Sequence, residues 1–493
     1  MFFTRLRRGV ALPSPLKDPI SLLQVDAAEA AAEAVQVYGK FSAENATQWK
    51  QFAAALLTAD WVALKTTVQI VDHLTEARFA QASFWKQASE KINEKIGERF
   101  GASLKDLVSL TRSLYRIRHV DKNVHAALCK FGVNDDEAWV IDTTEFVDYC
   151  KTLGMVASLG KEEVTSEVTK ILAMRLAEET RDFNLPDLLV ILRSFADMRI
   201  SPPLMMRKAA KVINDQLWKL EASEIAEVAD IYRCCKYRND TFFKTVVKEI
   251  IADAEVKYGS KADDVNSVNA SVRSFSLGEV ATIAQAVKVL GLTSDDTEWW
   301  AKKGDYASLL QLVLKVAKMP GEIEKLPGWQ LPHCAGALHA AGANQKQLYS
   351  SLNNRLHFLM RRPEEQGHRY LADTLEHMSR IKVAHSAKRS EISWLQEWLC
   401  EHVYEFELSQ VARINRYLIY NDINDHNYVK IWVDYYLQRM HQATKEDVRN
   451  IKDTFNKVKL YDNKIGRDLF YALGKRYQAL CVTATEKNIV RLG

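Results

Sequence analysis

The residues with the clearest potential for chemistry are cations that recur at one place in a repeated helical pattern. In five of seven repeats, a basic residue lies three or four positions after an apolar anchor residue. The five cations are Arg118, Arg199, Lys236, Lys382 and Lys459. Ala157 and Asn421 occupy this place in the other two repeats. If the repeats stack about 10 Å apart, such a row has the spacing and charge to follow the phosphates of a single-stranded nucleic acid.

Neighbouring arginines and tyrosines extend this candidate RNA-binding row. The additional arginines are Arg116, Arg193, Arg233, Arg238, Arg380, Arg413 and Arg416. Tyr115 and Tyr237 lie beside arginines and are the candidates for base stacking, which contributes roughly 1–3 kcal/mol per base. Tyr232 and Tyr417 also adjoin arginines, but they occupy anchor positions and are expected to face the core.

The row of cations also has a purely structural explanation. Its members lie near the C-terminal ends of predicted helices, where a positive charge interacts favourably with the helix dipole by roughly 0.3–1 kcal/mol. The sequence pattern leaves an RNA-binding role and this structural role open.

No pattern of catalytic or metal-binding residues is evident. His333, Cys334 and His339 are close in sequence, but the two histidines do not have the i, i+4 spacing of a ligand pair on one helix. The motifs GxxxxGK[ST], GxSxG and HExxH are absent, as is a strand-borne GxGxxG. We therefore expect no enzymatic activity, no metal and no cofactor.

Apolar periodicity predicts the helices that must position the cations. In the segment 185–213, Leu188, Leu192 and Phe195 share one helical face, and Pro202 and Pro203 end that helix and begin the next. The same pattern recurs 37 residues later, with Asn239 and Asp240 at the turn. The anchors of the series are Leu114, Leu153, Phe195, Tyr232, Met378, Tyr417 and Phe455. Degenerate copies are expected near Val287 and Leu338.

Steps of 37–42 residues between neighbouring anchors predict an all-α fold, a right-handed solenoid of stacked helical hairpins. A single hairpin of this size cannot bury its apolar face, so neighbours must stack. The predicted organisation is a presequence (1–17), a helical capping region (18–102), a first repeat array (103–257), a loop (258–276), a second array (277–475) and a C-terminal tail (476–493).

Composition indicates the compartment. Residues 1–17 contain four cations and no acid, which is typical of a mitochondrial presequence, so we expect a matrix protein. The whole chain has 67 basic and 63 acidic residues, so without these four cations the charge is balanced. Nucleic-acid binding would then require a local patch. The seven cysteines form no CxxC pair, which favours free buried thiols, and no apolar run approaches the ~20 residues of a membrane span.

The segment LLVILRSFADMRISPPLMMRKAAKVI resembles the repeats of organellar RNA proteins of the octotricopeptide and FAST-kinase/RAP type. The similarity covers roughly 103–251 and is thin over 277–475. Such proteins often end in a RAP domain, but the C-terminal sequence lacks the alternating strands that this domain needs. In length, presequence and neutral body the chain is also similar to helical-repeat subunits of the kinetoplastid mitochondrial RNA-editing complex that holds guide and messenger RNA.

Two functions therefore remain open from the sequence. The first is a non-catalytic RNA-binding protein that holds single-stranded RNA, either mRNA or guide RNA, within a mitochondrial RNA-processing or editing complex. The second is a scaffold that binds other protein subunits of such a complex, or of the mitochondrial ribosome, without direct RNA contact.

Overall fold

The computed structural model describes residues 18–42, 44–97, 103–117, 119–133, 141–158, 164, 166–258, 273–292, 304–362, 367–403, 406–423, 426–458 and 464–492. The structure is 78% helical; the described residues form 24 α-helices, and none of them belongs to a strand. The predicted all-α helical-repeat fold is confirmed; its right-handedness stays a prediction.

The chain divides into two compact units, residues 1–216 and 217–493. The helices of the first unit are α1 (Pro19–Leu22), α2 (Ala27–Tyr38), α3 (Ala46–Thr58), α4 (Leu64–Glu76), α5 (Ala82–Ile96), α6 (Leu104–Arg116), α7 (Lys122–Val133), α8 (Thr143–Ser158), α9 (Ser166–Glu179), α10 (Leu185–Asp197) and α11 (Pro203–Asp215).

The helices of the second unit are α12 (Ala222–Cys234), α13 (Asp240–Tyr258), α14 (Leu277–Val289), α15 (Gly304–Ala317), α16 (Leu331–Ala340), α17 (Lys346–Met360), α18 (Gly367–Arg380), α19 (His385–Ile392), α20 (Trp394–His402), α21 (Leu408–Tyr420), α22 (His426–Arg439), α23 (Lys445–Lys457) and α24 (Lys464–Leu492).

In the first unit the helices alternate between two layers. Helices α2, α4, α6, α8 and α10 pack side by side in one layer, and α3, α5, α7, α9 and α11 do so in the other. The first layer is tightly packed: a Cβ on Gly154 of α8 would lie 2.7 Å from the Cα of Ser194 in α10. Only a glycine lets the two helices approach this closely. The α2–α5 hairpins show that the predicted capping region joins the same stack.

The second unit repeats this arrangement. Helices α12, α14, α16, α18, α21 and α23 form its first layer. Helix α14 is enclosed, since every residue from Val280 to Val287 is buried. Its neighbours α12 and α16 meet beside it through the Asp230 carboxylate and the His333 imidazole, whose Oδ1 and Nε2 lie 3.2 Å apart.

The predicted anchors line the core. All seven, together with Val287 and Leu338, are buried, with at most 4% of the side chain of any of them exposed. This outcome confirms the helical register on which the repeat assignment depends.

Six first-layer helices end in the same hydrogen-bonded turn. After α10, Ile200 N–H donates to the Phe195 carbonyl oxygen (2.9 Å) and Arg199 N–H donates to the Ala196 carbonyl oxygen (3.1 Å). These two bonds define a Schellman motif, in which one residue adopts a left-handed conformation. We call that residue the exit residue. The six exit residues are Arg78, Arg199, Lys236, Gly291, Gly342 and Asp422.

The predicted domain limits are in part beyond the described residues. The presequence and most of the 258–276 loop, residues 259–272, lie outside them. Helix α24 continues past the predicted limit at residue 475, so 476–492 is helical. Within the described ranges, no helix combines the length and the apolarity needed to cross a membrane.

Candidate nucleic-acid interface

Two members of the predicted row, Arg199 and Lys236, are exit residues. Both are exposed, with φ angles of 58° and 50°. Among the described residues, no carboxylate oxygen lies within 4.0 Å of either cationic group. Arg78, which the sequence analysis did not single out, has the same position after α4, with φ of 59°. These cations are therefore available to an external anion.

The remaining members of the row differ. Lys382 is exposed and follows α18, but its backbone is not left-handed, because this helix ends in a different turn. Arg118 and Lys459 lie outside the described residues. After α6, His119 N–H donates a hydrogen bond to the Leu114 carbonyl oxygen (3.1 Å).

Three of the additional arginines bind the neighbouring first-layer helix. Arg116 of α6 contacts Asp72 of α4 at 2.6 Å. Arg413 of α21 contacts Asp373 of α18 at 2.6 Å and also pairs with Glu376. Arg416 of α21 donates a hydrogen bond to the Asn450 amide oxygen of α23 (3.0 Å).

The other four arginines pair with an acid close in sequence. Their partners are Asp197 for Arg193 (3.3 Å), Asp230 for Arg233 (2.6 Å), Asp240 for Arg238 (2.7 Å) and Glu376 for Arg380 (2.6 Å). Six of the seven additional arginines therefore have a carboxylate partner, and the seventh has an amide partner. We call these seven the paired arginines.

The pKa values around Arg413 indicate that its pairs are ionised. Partial burial acts to raise the pKa of Glu376, but the hydrogen bond and charge of Arg413 outweigh it and lower the pKa. Burial likewise acts to lower the pKa of Arg413, and Asp373 and Glu376 reverse this effect. The contact therefore joins α18 and α21 through full charges whose fields largely cancel.

The four tyrosines that adjoin arginines differ in burial, as their sequence positions suggested. The anchors Tyr232 and Tyr417 are buried, as predicted. Tyr115 is half-buried. Tyr237 is also half-buried, with its ring centroid 5.4 Å from that of Tyr232. The two predicted stacking candidates thus offer only part of each ring to a ligand.

Sequence reasoning missed two features of the first layer. Asp230 is almost fully buried and contacts both Arg233 and His333, but the His333 contact joins residues about a hundred positions apart and leaves no local signal. Tyr420 is 47% exposed, with the Arg416 guanidinium 5.9 Å and the Lys457 ammonium 5.7 Å from its ring centroid. The i, i+4 spacing of Arg416 and Tyr420 was the available signal.

Of the three residues considered for a metal site, His333 and Cys334 are buried and His339 is half-buried. His333 is held by Asp230, and burial raises the pKa of the Cys334 thiol to about 12. Burial lowers the pKa of His339. In the part of the chain that the structure describes, no three metal-ligating side chains come together.

Comparison with protein-family models and with curated proteins finds no match for this chain. The resemblance to organellar repeat proteins therefore stays a prediction, and function is inferred from the chain's own residues.

Proposed function

We propose that this protein is a non-catalytic RNA-binding repeat protein of the mitochondrial matrix, which holds single-stranded mRNA or guide RNA within an RNA-processing or editing complex. The observation that carries the proposal is the state of the exit residues Arg199 and Lys236. Both are exposed cations with no carboxylate partner among the described residues. The paired arginines, by contrast, already contact a carboxylate or an amide of the protein itself.

The backbone at these positions favours glycine. A left-handed conformation costs a residue with a Cβ roughly 1–2 kcal/mol, and glycine avoids this cost. Glycine is present at the exits Gly291 and Gly342, so the fold accepts it there. A cation at Arg78, Arg199 and Lys236 therefore brings charge to the surface at a conformational cost, which the helix dipole offsets only in part. Phosphate binding supplies a reason for keeping the charge.

The test replaces the three exit cations by glycine, in the triple variant Arg78→Gly, Arg199→Gly, Lys236→Gly. Glycine should relax the left-handed backbone, so we expect the variant to stay folded and any loss of binding to come from the lost cations. Each lost phosphate contact on a single strand should reduce the slope of log affinity against log salt by about 0.7. Titration of a labelled single-stranded RNA at several salt concentrations measures both affinity and slope.

A matched control removes three exposed second-layer cations, in the variant Lys208→Gln, Lys211→Gln, Lys244→Gln. It has the same net charge as the exit variant, so any general field effect appears in both. An equal slope in the wild type and the exit variant would contradict direct phosphate contact at the exits.

The second candidate is a protein scaffold in the same compartment, and the paired arginines favour it. Their acidic partners offset the positive charge of these arginines, which suits a protein surface better than a polyanion. The same titration separates the two candidates. A folded wild-type protein that binds no RNA at low salt, but purifies with other subunits of an RNA-processing complex or the mitochondrial ribosome, would support the scaffold.

A further inference from the structure

The last helix exposes three aromatic side chains within eight residues. On α24, Phe470 is 57% exposed, Tyr471 65% and Tyr477 54%. Three exposed rings on about two turns of one helix suggest a bound partner.

Phe470 and Tyr477 flank the buried face of α24, and Tyr471 lies farther from it. Leu469 and Leu473 are buried against the repeat stack. At about 100° per residue, Phe470, Gly474 and Tyr477 fall on a separate stripe, and Tyr471 borders it. Apart from the adjoining residues and the backbone of α24 itself, no described atom lies within 4 Å of a Cβ placed on Gly474. The rings thus surround an open depression above the Gly474 backbone, which we call the α24 notch.

Nothing within the described fold requires glycine at this position. Glycine in a helix interior is less favourable than alanine by roughly 1 kcal/mol, and here no neighbouring helix approaches the backbone. Gly154 differs, because a neighbouring helix packs directly against its backbone. Open space above Gly474 would let an external planar group reach the helix surface between the rings.

The charge around the notch is mostly positive. Arg467 and Lys475 are exposed at its border, and the Lys475 ammonium lies 4.7 Å from the centroid of the Tyr471 ring. Asp468 is exposed farther round the helix. Arg476 points the other way and donates a hydrogen bond to the Ala443 carbonyl oxygen (2.8 Å). The notch is therefore an aromatic surface with cations along one edge.

One of the rings is held in place from below. The Phe470 centroid lies 6.3 Å from that of Phe455, with 32° between the ring planes, and Phe455 is buried in α23. A ring supported on one face and exposed on the other loses little entropy when a flat ligand stacks on it.

We propose that the α24 notch stacks bases of a single-stranded RNA on Phe470 and Tyr477, while Arg467 and Lys475 bind the adjoining phosphates. Aromatic rings beside cations match the alternating bases and phosphates of such a strand. A second copy of this chain is a poorer fit, because a symmetric contact would bring Arg467 and Lys475 against the same cations. The inference rests on the proposed function and adds a contact site far along the chain from the exit residues.

The decisive variant is Gly474→Leu, which fills the notch and removes no aromatic ring. Leucine favours helix and its Cβ meets no neighbouring helix, so the thermal midpoint should be unchanged or higher. Affinity for a short oligoadenylate should nevertheless fall by about 5- to 150-fold for each base that can no longer stack.

Two further variants separate stacking from charge. Phe470→Leu combined with Tyr477→Leu keeps apolar side chains but removes the rings, so affinity should fall while the salt slope stays the same. Lys475→Gln should instead reduce the slope by about 0.7. The matched control is Leu204→Ala, which shortens a side chain on α11 that is 58% exposed and should leave binding unchanged.

The outcomes distinguish the two proposals. If the wild type binds oligoadenylate, the exit variant is weakened and Gly474→Leu binds like the wild type, the notch is rejected and the proposed function stands. If the wild type binds no oligoadenylate, both are rejected. If Gly474→Leu changes only the sedimentation of the protein, the notch is a contact between copies, and the stacking proposal is overturned.

Discussion

The exit residues of the early and late repeats share one backbone geometry but differ in charge. Arg78, Arg199 and Lys236 are cations, whereas Gly291 and Gly342 are neutral and Asp422 is acidic. Each is left-handed, and the hydrogen bonds that close the six turns are equivalent. The turn therefore requires a left-handed backbone conformation but accepts a cationic, a neutral or an acidic residue. Charge at the exits is a property that the repeat fold does not require.

The helix bodies follow a different rule. Arg116 and Arg413 have carboxylates of the neighbouring repeat as partners, and these contacts join adjacent first-layer helices. In the helix bodies the cation therefore helps to hold neighbouring helices together. Basic residues are thus structural within the helices and available to a ligand at the exits. Three stability measurements test this difference.

The largest effect is expected from pH and lies in a helix body. Burial, with help from the charge of Arg380, lowers the pKa of His377 from 6.5 to about 4. The unfolded chain takes up this proton as pH falls through 6.5, whereas the folded protein does so only near 4. The contribution of His377 to the free energy of unfolding is therefore fully present above pH 6.5 and is lost as the pH falls toward 4. At pH 5 the loss is about 2 kcal/mol.

Urea unfolding of the wild type and His377→Gln at pH 7 and pH 5 measures this contribution. The variant should lose less stability between the two pH values than the wild type. His441→Gln, at an exposed histidine, is the control and should retain the wild-type pH dependence. Equal losses in all three proteins would show that His377 is not held neutral by the fold.

A smaller effect is expected from removing a paired arginine. Arg413→Met leaves Asp373 and Glu376 without their shared cation, so the free energy of unfolding should fall by about 1–2 kcal/mol. Partial exposure of Arg413, at 34% of its side chain, keeps the loss below that of a fully buried pair. Arg389→Met, at an exposed arginine of α19, should change stability far less. Similar losses in both variants would remove the distinction between paired and available cations.

The smallest effect is expected at the exits, and its sign is opposite. Lys236→Gly should raise the free energy of unfolding by roughly 1 kcal/mol, because glycine relieves the left-handed strain. Gly342→Ala should lower it by a similar amount. Thermal or urea unfolding of the two variants tests the pair. A loss of stability in Lys236→Gly would mean that the lysine stabilises its helix end more than the strain costs.

The repeats themselves were predictable from sequence. The apolar period placed Leu153, Phe195 and Tyr232 in the core. The apolar face of each helix packs against neighbouring repeats, so side chains on that face are buried. The basic residue four positions after Phe195 and after Tyr232 was also visible, and its place at the helix end followed from the anchor. Its left-handed backbone was not, since lysine and arginine are poor markers of a conformation that glycine usually adopts.

The fold class, the anchor positions and the helix ends at Arg199 and Lys236 followed from the sequence, because all three depend on the local period of a single hairpin. Packing between helices decided the pairs that join neighbouring repeats, those of Arg116 and Arg413. Asp72 lies 44 residues from Arg116, and Glu376 lies 37 residues from Arg413. Helix packing, rather than any local pattern, brings those carboxylates within reach of the arginines. The notch on α24 has the same origin, because only packing shows which face of that helix the core leaves uncovered.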